Sequence, residues 1–150
     1  MINSLQHFQT ILTNPFSLSP LMITFYHEIG EKRNGLLLAF IVIPLCLHPV
    51  SGTALRRLTS ASTIRTFVRT KENIAGLAPR IQAYRAITSN ILQYVISIGA
   101  LKINEDLSIK VLDEHLPPKA QRPKEAQKLA NILTPIDVPV IYKTLGVKHL

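Results

Sequence analysis

The amino-acid sequence predicts a mainly α-helical fold with a small β component, and three patterns predict it. Apolar residues recur at helical spacing over residues 19–35 and again over 80–99. Apolar and polar residues alternate over 100–111, which is typical of a β-hairpin. Residues 36–47 are apolar throughout apart from the weakly polar thiol of Cys46, so neighbouring helices must cover this run on every side.

Two helices are predicted ahead of the apolar run. The first is a short lead-in over residues 1–14 that Asn14-Pro15 ends, because a residue before proline is pushed out of the helical region. Its apolar residues are Leu5, Phe8, Ile11 and Leu12. The second has Ser19 as its N-cap and Pro20 in its first turn, and Asn34-Gly35 ends it. Its inward stripe consists of Met22, Phe25, Tyr26 and Ile29.

The apolar run itself is ambiguous over residues 36–43, because periodicity does not separate a buried strand from a buried helix. Pro44 favours an extended piece up to Ile43 with a helical turn starting at the proline, since its ring would clash with the carbonyl of Phe40 inside a helix. Residues 49–52 predict a turn, and residues 53–58 predict a short helix.

The middle of the chain predicts two further helices. The first covers residues 63–73, with Ile64, Phe67 and Val68 inward. Residues 76–79 break it, and a long helix follows over 80–98 with Gly99 as its C-terminal stop.

A β-hairpin is predicted directly after Gly99, with its turn at residues 104–106. Its inner face is predicted to carry Leu101, Ile103, Leu107, Ile109 and Val111, and its outer face Lys102, Ser108 and Lys110. A helix that ends in glycine and leads into a hairpin is typical of the second half of a winged helix, with the hairpin as the wing. The predicted fold is therefore winged-helix-like.

The C-terminal part predicts an exposed proline-rich connection over residues 113–123 and two short helices, over Lys124–Leu133 and 137–145. We expect the 150 residues to form a single domain. Its parts are the N-terminal helices with the apolar run (1–49), a basic helical segment (50–99), the hairpin (100–112), the connection (113–123) and the terminal helices (124–150).

The charge distribution points to an anionic partner. The net charge is +8, and most of the excess lies between residues 56 and 85, where Glu72 is the lone acidic residue. The cations of this basic band are Arg56, Arg57, Arg65, Arg69, Lys71, Arg80 and Arg85. Nucleic acid and an acidic protein surface explain them equally well. The aromatic residues of the band, Phe67 and Tyr84, are predicted in the core, so stacking on single strands is not expected.

No catalytic or metal-binding pattern stands out, so the sequence predicts a protein that is not an enzyme and has no cofactor. The histidines are scattered at positions 7, 27, 48, 115 and 149, and Cys46 is the lone cysteine. Neither arrangement has the spacing of a metal site or a disulfide framework. The N-terminus lacks a secretory signal pattern, which favours the cytoplasm.

Five features in order resemble a known family. They are Asn14-Pro15 ahead of an amphipathic helix, the run ending IPLCLH at residues 43–48, the segment at 56–58, ILQYVISIGALKINEDLSI at 91–109, and IYKTLGVKHL at 141–150. Together they resemble the small middle component of bacterial three-component ABC ATPase (ABC-3C) systems, of the kind found in Menshen-type modules that defend against phages and plasmids.

The resemblance implies a non-catalytic adaptor. Such a subunit would link an ABC ATPase of the chromosome-maintenance and DNA-repair (SMC/RecN-like) type to an effector subunit, often a nuclease. The implied partners are those two subunits, with non-specific DNA contact within the complex left open. No catalytic position of the family is carried over to this chain, so the basic band is the candidate site.

Two other interpretations stay open on the sequence. One is a stand-alone winged-helix DNA-binding regulator, which would be a dimer with a specific DNA site. The other is a membrane-associated protein anchored by residues 36–47. As a helix this run would cover about 18 Å against a hydrocarbon core of about 30 Å, so no membrane contact is expected.

Overall fold

The computed structural model describes residues 14–148. The predicted lead-in helix, with Leu5, Phe8, Ile11 and Leu12, lies outside these residues. The α-helices in the described part are α1 (Pro15–Ile29), α2 (Ala39–Cys46), α3 (Pro49–Arg56), α4 (Ile64–Arg69), α5 (Leu77–Ala83), α6 (Arg85–Ser97), α7 (Lys124–Leu133) and α8 (Val138–Thr144). The strands are β1 (Leu101–Ile103) and β2 (Ile109–Val111). Short 3-10 turns cover Gly35–Leu38, Lys71–Asn73, Asp113–His115 and Lys119–Gln121. The prediction of a mainly α fold with a small β component is confirmed.

Helix α1 begins earlier than predicted, because Asn14-Pro15 starts this helix. The Asn14 Oδ1 accepts a hydrogen bond from the Phe16 N–H at 2.8 Å and caps the helix. Ser19 and Pro20 lie inside it. Pro20 has no N–H for the Phe16 carbonyl, and the Ser19 hydroxyl donates to that carbonyl at 3.0 Å in its place. The helix ends at Gly30, where φ is +76°, and not at Asn34-Gly35.

The extended conformation favoured for residues 36–43 is wrong: Gly35–Leu38 is a 3-10 turn, and α2 follows with Pro44 inside it. A strand here would need a neighbouring strand for its backbone groups, whereas a helix satisfies most of them internally. Proline costs about 3 kcal/mol within a helix. Each fully buried aliphatic side chain contributes about 1.5–3 kcal/mol, and Ile41, Val42, Ile43 and Leu45 are all fully buried in α2. Packing therefore outweighs the proline.

The turn predicted at residues 49–52 is the first turn of α3. Pro49 occupies the first helical position, and His48 is the N-cap, with its Nδ1 accepting from the Ser51 N–H at 3.4 Å. Gly52 is needed for close packing and not for a turn. A Cβ at this position would lie 2.6 Å from the carbonyl oxygen of Cys46, so α3 can approach the end of α2 only through a glycine.

The helix predicted over 63–73 is shorter than expected. Thr63 caps α4 in a reciprocal arrangement with Thr66, and a 3-10 turn over Lys71–Asn73 replaces its last part. Its residues Ile64 and Phe67 are buried as predicted, whereas Val68 is half-buried.

The long helix predicted over 80–98 is two helices, α5 and α6, which meet at Tyr84. The φ and ψ of Tyr84 are −97° and 6°, outside the helical range. The predicted stop at Gly99 is confirmed. Its φ is +77°, its N–H donates to Ile96 O, and the N–H of Ala100 donates to Val95 O.

The hairpin is confirmed, with β1 and β2 antiparallel and Lys102 opposite Lys110. Three side chains differ from the prediction. Ile103 was predicted on the inner face, but it is 39% exposed. Ser108 is buried at 3% exposure, because its N–H and hydroxyl both donate to the Asp106 carboxylate. Leu107 is 39% exposed, because its φ of +62° turns it out of the strand alternation.

The tip of the hairpin is docked on the segment between α1 and α2. The N–H of Asn34 donates to Asp106 O at 3.0 Å, and the N–H of Leu36 donates to Leu107 O at 2.8 Å. The winged-helix arrangement stays a prediction, and this docking joins its proposed wing to the N-terminal helices.

The two terminal helices match their predicted bounds to within a residue. Lys32 ties α1 to the end of α7, since its ammonium donates to Thr134 O at 2.9 Å and to Ile136 O at 2.7 Å. The Tyr142 hydroxyl on α8 donates to the Leu37 carbonyl. Residues 113–123 are exposed or half-buried. The single-domain organisation stays a prediction.

The core is organised around α2, which packs against α1, α3, α5, α6 and α7. Within residues 14–148, no single helix combines the length and the apolar composition that crossing a membrane requires. The segments Gly35–Cys46 and Pro49–Arg56 meet those criteria only when taken together, and they are bent by 101° relative to each other.

The substitution Gly52→Ala should destabilise the protein. Alanine in place of glycine inside a helix ordinarily stabilises it by about 0.5–1 kcal/mol. Here the added methyl would meet Cys46 O, and overpacking of this kind costs about 1–3 kcal/mol. Urea unfolding followed by circular dichroism measures the change. Gly35→Ala is the matched control, because its Cβ would meet only ordinary contacts at 3.8 Å or more. A Gly52→Ala protein as stable as the wild type would contradict the proposed close packing.

Candidate functional site

The basic band does not form one uniform surface. Arg57, Arg65, Arg69, Lys71 and Arg85 are exposed, and among the described residues none of these five makes an ion pair or a side-chain hydrogen bond. Arg56 is also exposed, but it pairs with the Glu125 carboxylate on α7 and donates to Thr53 Oγ1. Arg80 points inward. Five of the seven predicted site residues are therefore free to meet an anionic partner.

Arg80 is a structural residue in this fold. Its Nε donates to the Pro44 carbonyl at 3.3 Å, its Nη1 to the Ala75 carbonyl, and its Nη2 to Ser51 Oγ at 3.4 Å. These bonds join α5 to the end of α2 and to α3. Burial lowers the pKa of the guanidinium from its ordinary value, although it stays charged at neutral pH. Charge reversal here would damage the fold before it tested any partner.

Ser51 and Asn73 complete a polar junction with Arg80. The Ser51 hydroxyl donates to Asn73 O at 2.5 Å, and the Asn73 Nδ2 donates to Phe67 O at 2.8 Å. Sequence analysis missed this junction, because its residues come from separate elements and have no motif spacing. It satisfies polar groups where α2 ends, next to α3 and the Lys71–Asn73 turn.

Ser51 and His48 resemble a serine nucleophile and its activating base, but the serine is not accessible to a substrate. The Ser51 Oγ lies 3.3 Å from His48 Nδ1, a distance compatible with base activation. However, Ser51 has no exposed surface, and its proton is donated to Asn73 O. Burial, followed by the positive charge of Arg80, lowers the pKa of His48. The imidazole therefore serves as a neutral cap for α3.

Cys46 is buried and lacks the features of an activated nucleophile. Burial raises the pKa of the Cys46 thiol, so the nucleophilic thiolate is disfavoured. In the described range 14–148, no three His, Cys, Asp or Glu side chains come together in a way that could hold a metal ion.

A shallow groove lies beside the exposed cations, between α3 and the Lys71–Asn73 turn. Its volume is about 390 Å³, and it is lined by Pro49, Val50, Thr53, Ala54, Arg57 and Asn73. Val50 is 46% exposed, so part of this lining is apolar surface open to solvent. An apolar surface next to an unpaired arginine is typical of a protein interface.

The proposed DNA-reading elements carry few cations. The exposed residues of α6 are Arg85, Ala86, Asn90, Gln93, Ile96 and Ser97, and Arg85 is the one charged residue of this helix. The hairpin adds Lys102 and Lys110, which face each other on its outer side. Phosphate contacts usually come from several Lys and Arg side chains. Helix α6 and the hairpin strands together therefore present three exposed cations, Arg85, Lys102 and Lys110.

Comparison with known proteins gives one match. The family model described as ABC-three component (ABC-3C) system Middle Component 3 matches residues 2–149. No curated protein and no solved structure matches the chain.

The substitution Arg80→Gln should lower the free energy of unfolding by about 1–3 kcal/mol, because it leaves the partly buried acceptors on Pro44 and Ser51 without their donor. Chemical denaturation measures this loss. Arg85→Gln is the control: it removes the same charge from an exposed side chain, and its effect should stay within about 0.5 kcal/mol. Equal effects of the two substitutions would contradict the structural role of Arg80.

The His48 cap should make stability depend on pH. The folded-state pKa of His48 lies below its unfolded value, which is about 6.5. Its contribution is therefore fully present above that value and is lost as the pH falls towards the folded pKa. Unfolding free energies measured at about pH 8 and about pH 5 should differ more for the wild type than for His48→Asn, a cap that does not titrate. The same difference in both proteins would exclude this role.

Proposed function

This chain belongs to the ABC-three component system Middle Component 3 family, and we propose that it is a non-catalytic adaptor that connects an ABC ATPase to an effector subunit. The observation that carries the proposal is the family match over residues 2–149, since a middle component is by name one part of a multi-component ABC system. In this proposal the ATPase is of the chromosome-maintenance and DNA-repair type, and the effector is a nuclease. The complex would defend a bacterium against phages and plasmids.

The surface supports binding to acidic proteins. The net charge of +8 is unbalanced, and in the part of the chain that the structure describes a single ion pair, Arg56 with Glu125, neutralises a cation. Exposed arginines favour interfaces, because a guanidinium forms two parallel hydrogen bonds to one carboxylate. The apolar Val50 next to Arg57 adds the kind of surface that a partner would bury.

The interior supports a role without catalysis. The groups that resemble catalytic residues, namely Ser51, His48 and Cys46, are buried or serve as caps. A subunit of this kind contributes by holding its partners in a fixed relation. An ABC ATPase uses ATP, so we place the complex in the cytoplasm.

A stand-alone DNA-binding regulator is the second candidate. The direct passage from α6 into a hairpin with Lys102 and Lys110 on its outer face favours it. The low charge of α6 weighs against it, because a recognition helix meets the electronegative major groove.

Co-expression separates the two candidates. The tagged chain is produced together with the ATPase and the third component of its system, treated with nuclease, and analysed by size-exclusion chromatography. An adaptor should co-elute with both subunits after nuclease treatment. A chain that elutes alone as a dimer and binds a specific DNA sequence would contradict the adaptor role.

The double substitution Arg65→Glu with Arg69→Glu should abolish plasmid or phage restriction and weaken assembly about tenfold or more, because reversed charges repel an acidic surface. Both side chains are exposed on α4, so the melting temperature should stay close to that of the wild type. Arg80 is left out because of its structural bonds. Pull-down and a plaque or transformation assay measure the effect.

The control for this variant is Lys119→Glu with Lys124→Glu, which makes the same change of net charge at exposed positions elsewhere. It should assemble and restrict normally. A folded Arg65→Glu, Arg69→Glu protein with full restriction would remove α4 from the interface.

A further inference from the structure

A groove follows the C-terminal end of α8, outside the basic band. It consists of two adjoining depressions of about 450 and 420 Å³ that share Gly146 and Lys148. The first is also lined by Ala78, Pro79 and Gln82 of α5. The second runs along α8 past Pro139, Tyr142, Lys143 and Val147.

The lining of this groove is largely apolar and sterically open. Val147 and Tyr142 form part of its floor and are largely buried, while Pro79 and Pro139 form part of its walls. At Gly146 an added Cβ would meet no atom within 4 Å, so the backbone there is bare. An apolar side chain from a partner could pack against this surface.

The charges around the groove have one sign. Lys143 and Lys148 are exposed, and neither makes an ion pair or a side-chain hydrogen bond with any described residue. Among residues 14–148, no acidic side chain lines either depression. Asp137, the acidic residue of this region, lies at the other end of α8 and lines a different depression with Arg33.

The cationic rim continues beyond the groove. Helix α4 packs against α8, and it carries the exposed Arg65 and Arg69. Arg85, the first residue of α6, follows Gln82 by three residues in the chain. Sequence analysis missed Lys143 and Lys148, because they lie some sixty residues beyond the band and only the fold brings α8 next to α4.

We propose that this groove docks an acidic segment of a partner subunit, one that places carboxylates on Lys143 and Lys148 and an apolar side chain on the floor between them. The inference rests on the proposed function and deepens it by naming the surface and the chemistry of the partner. A protein segment fits better than nucleic acid, because an apolar floor contributes nothing to binding a phosphate backbone. Lys143 also complements the negative end of the α8 dipole, and its ammonium donates to no carbonyl of residues 14–148.

The test uses the complete complex. Lys143→Glu with Lys148→Glu is introduced into the tagged chain, which is co-expressed with the ATPase and the third component and treated with nuclease. The affinity of the purified variant chain for each purified partner subunit is then measured by biolayer interferometry. We expect one partner to bind at least about tenfold more weakly and the other to bind normally. The neutral pair Lys143→Gln with Lys148→Gln should give a smaller loss in the same partner.

The matched control is Lys102→Glu with Lys110→Glu, which makes the same charge change on the outer face of the hairpin. It should bind both partners with wild-type affinity. Melting curves verify that each variant is folded, and the glutamine pair tests the groove if the glutamate pair does not fold.

The outcomes separate this inference from the proposed function. If the wild-type chain binds neither subunit, both are overturned. If the wild type binds and the groove variants bind equally well, the groove is not the docking site, and the adaptor role stands. If nuclease abolishes binding, and the groove variants lose affinity for a duplex DNA probe, the groove is a nucleic-acid site and the acidic-segment assignment is wrong.

Discussion

The complete burial of α2 is the constraint on which the rest of this structure depends. A helix that is apolar on every side cannot sit on a surface, so α1, α3, α5, α6 and α7 are all arranged against it. Burial also removes water from the backbone carbonyl groups at the C-terminal end of α2, so these groups need other hydrogen-bond donors. The guanidinium of Arg80 donates a hydrogen bond to the Pro44 carbonyl, and Gly52 lets α3 approach the Cys46 carbonyl. The polar junction of Ser51, Asn73 and Arg80 is thus a consequence of the apolar helix beside it.

The same arrangement decides what remains on the surface. The covering helices turn their apolar sides towards α2 and most of their cations outward, with Arg80 of α5 as an exception. In the part of the chain that the structure describes, one ion pair, Arg56 with Glu125, neutralises a cation. An unbalanced positive surface costs little in water but attracts anionic partners. The chain belongs to a family of middle components, which are by name parts of multi-component ABC systems. Helix α4, which carries exposed arginines, packs against α8, which carries the exposed Lys143.

Proximity in the chain was a poor guide to the candidate site. The seven cations of the basic band look alike in sequence, yet the half-buried Arg80 donates to the carbonyl groups of Pro44 and Ala75, and Arg56 is paired with Glu125. No pattern in the sequence distinguishes Lys143 and Lys148 from other lysines, yet both line a groove with an apolar floor. A Lys or Arg in the sequence shows that a cation is present, but not whether its side chain is exposed, paired or bonded to carbonyl groups. Its environment depends on residues from distant elements.

The sequence by itself determined the features that depend on a few neighbouring residues. These include the hairpin over 101–111, the bounds of α7 at Lys124–Leu133, the stop at Gly99, and the net charge. Local sterics and periodicity act over one or two turns and leave a readable pattern.

Only the tertiary structure decided that residues 39–46 form a helix despite Pro44, that Pro20 lies inside α1, and that Arg80 faces inward. Each of these goes against a local preference. The reason is that burial and hydrogen bonding are summed over partners from the whole chain. That sum exceeds the cost of a few kcal/mol that one proline or one desolvated arginine imposes.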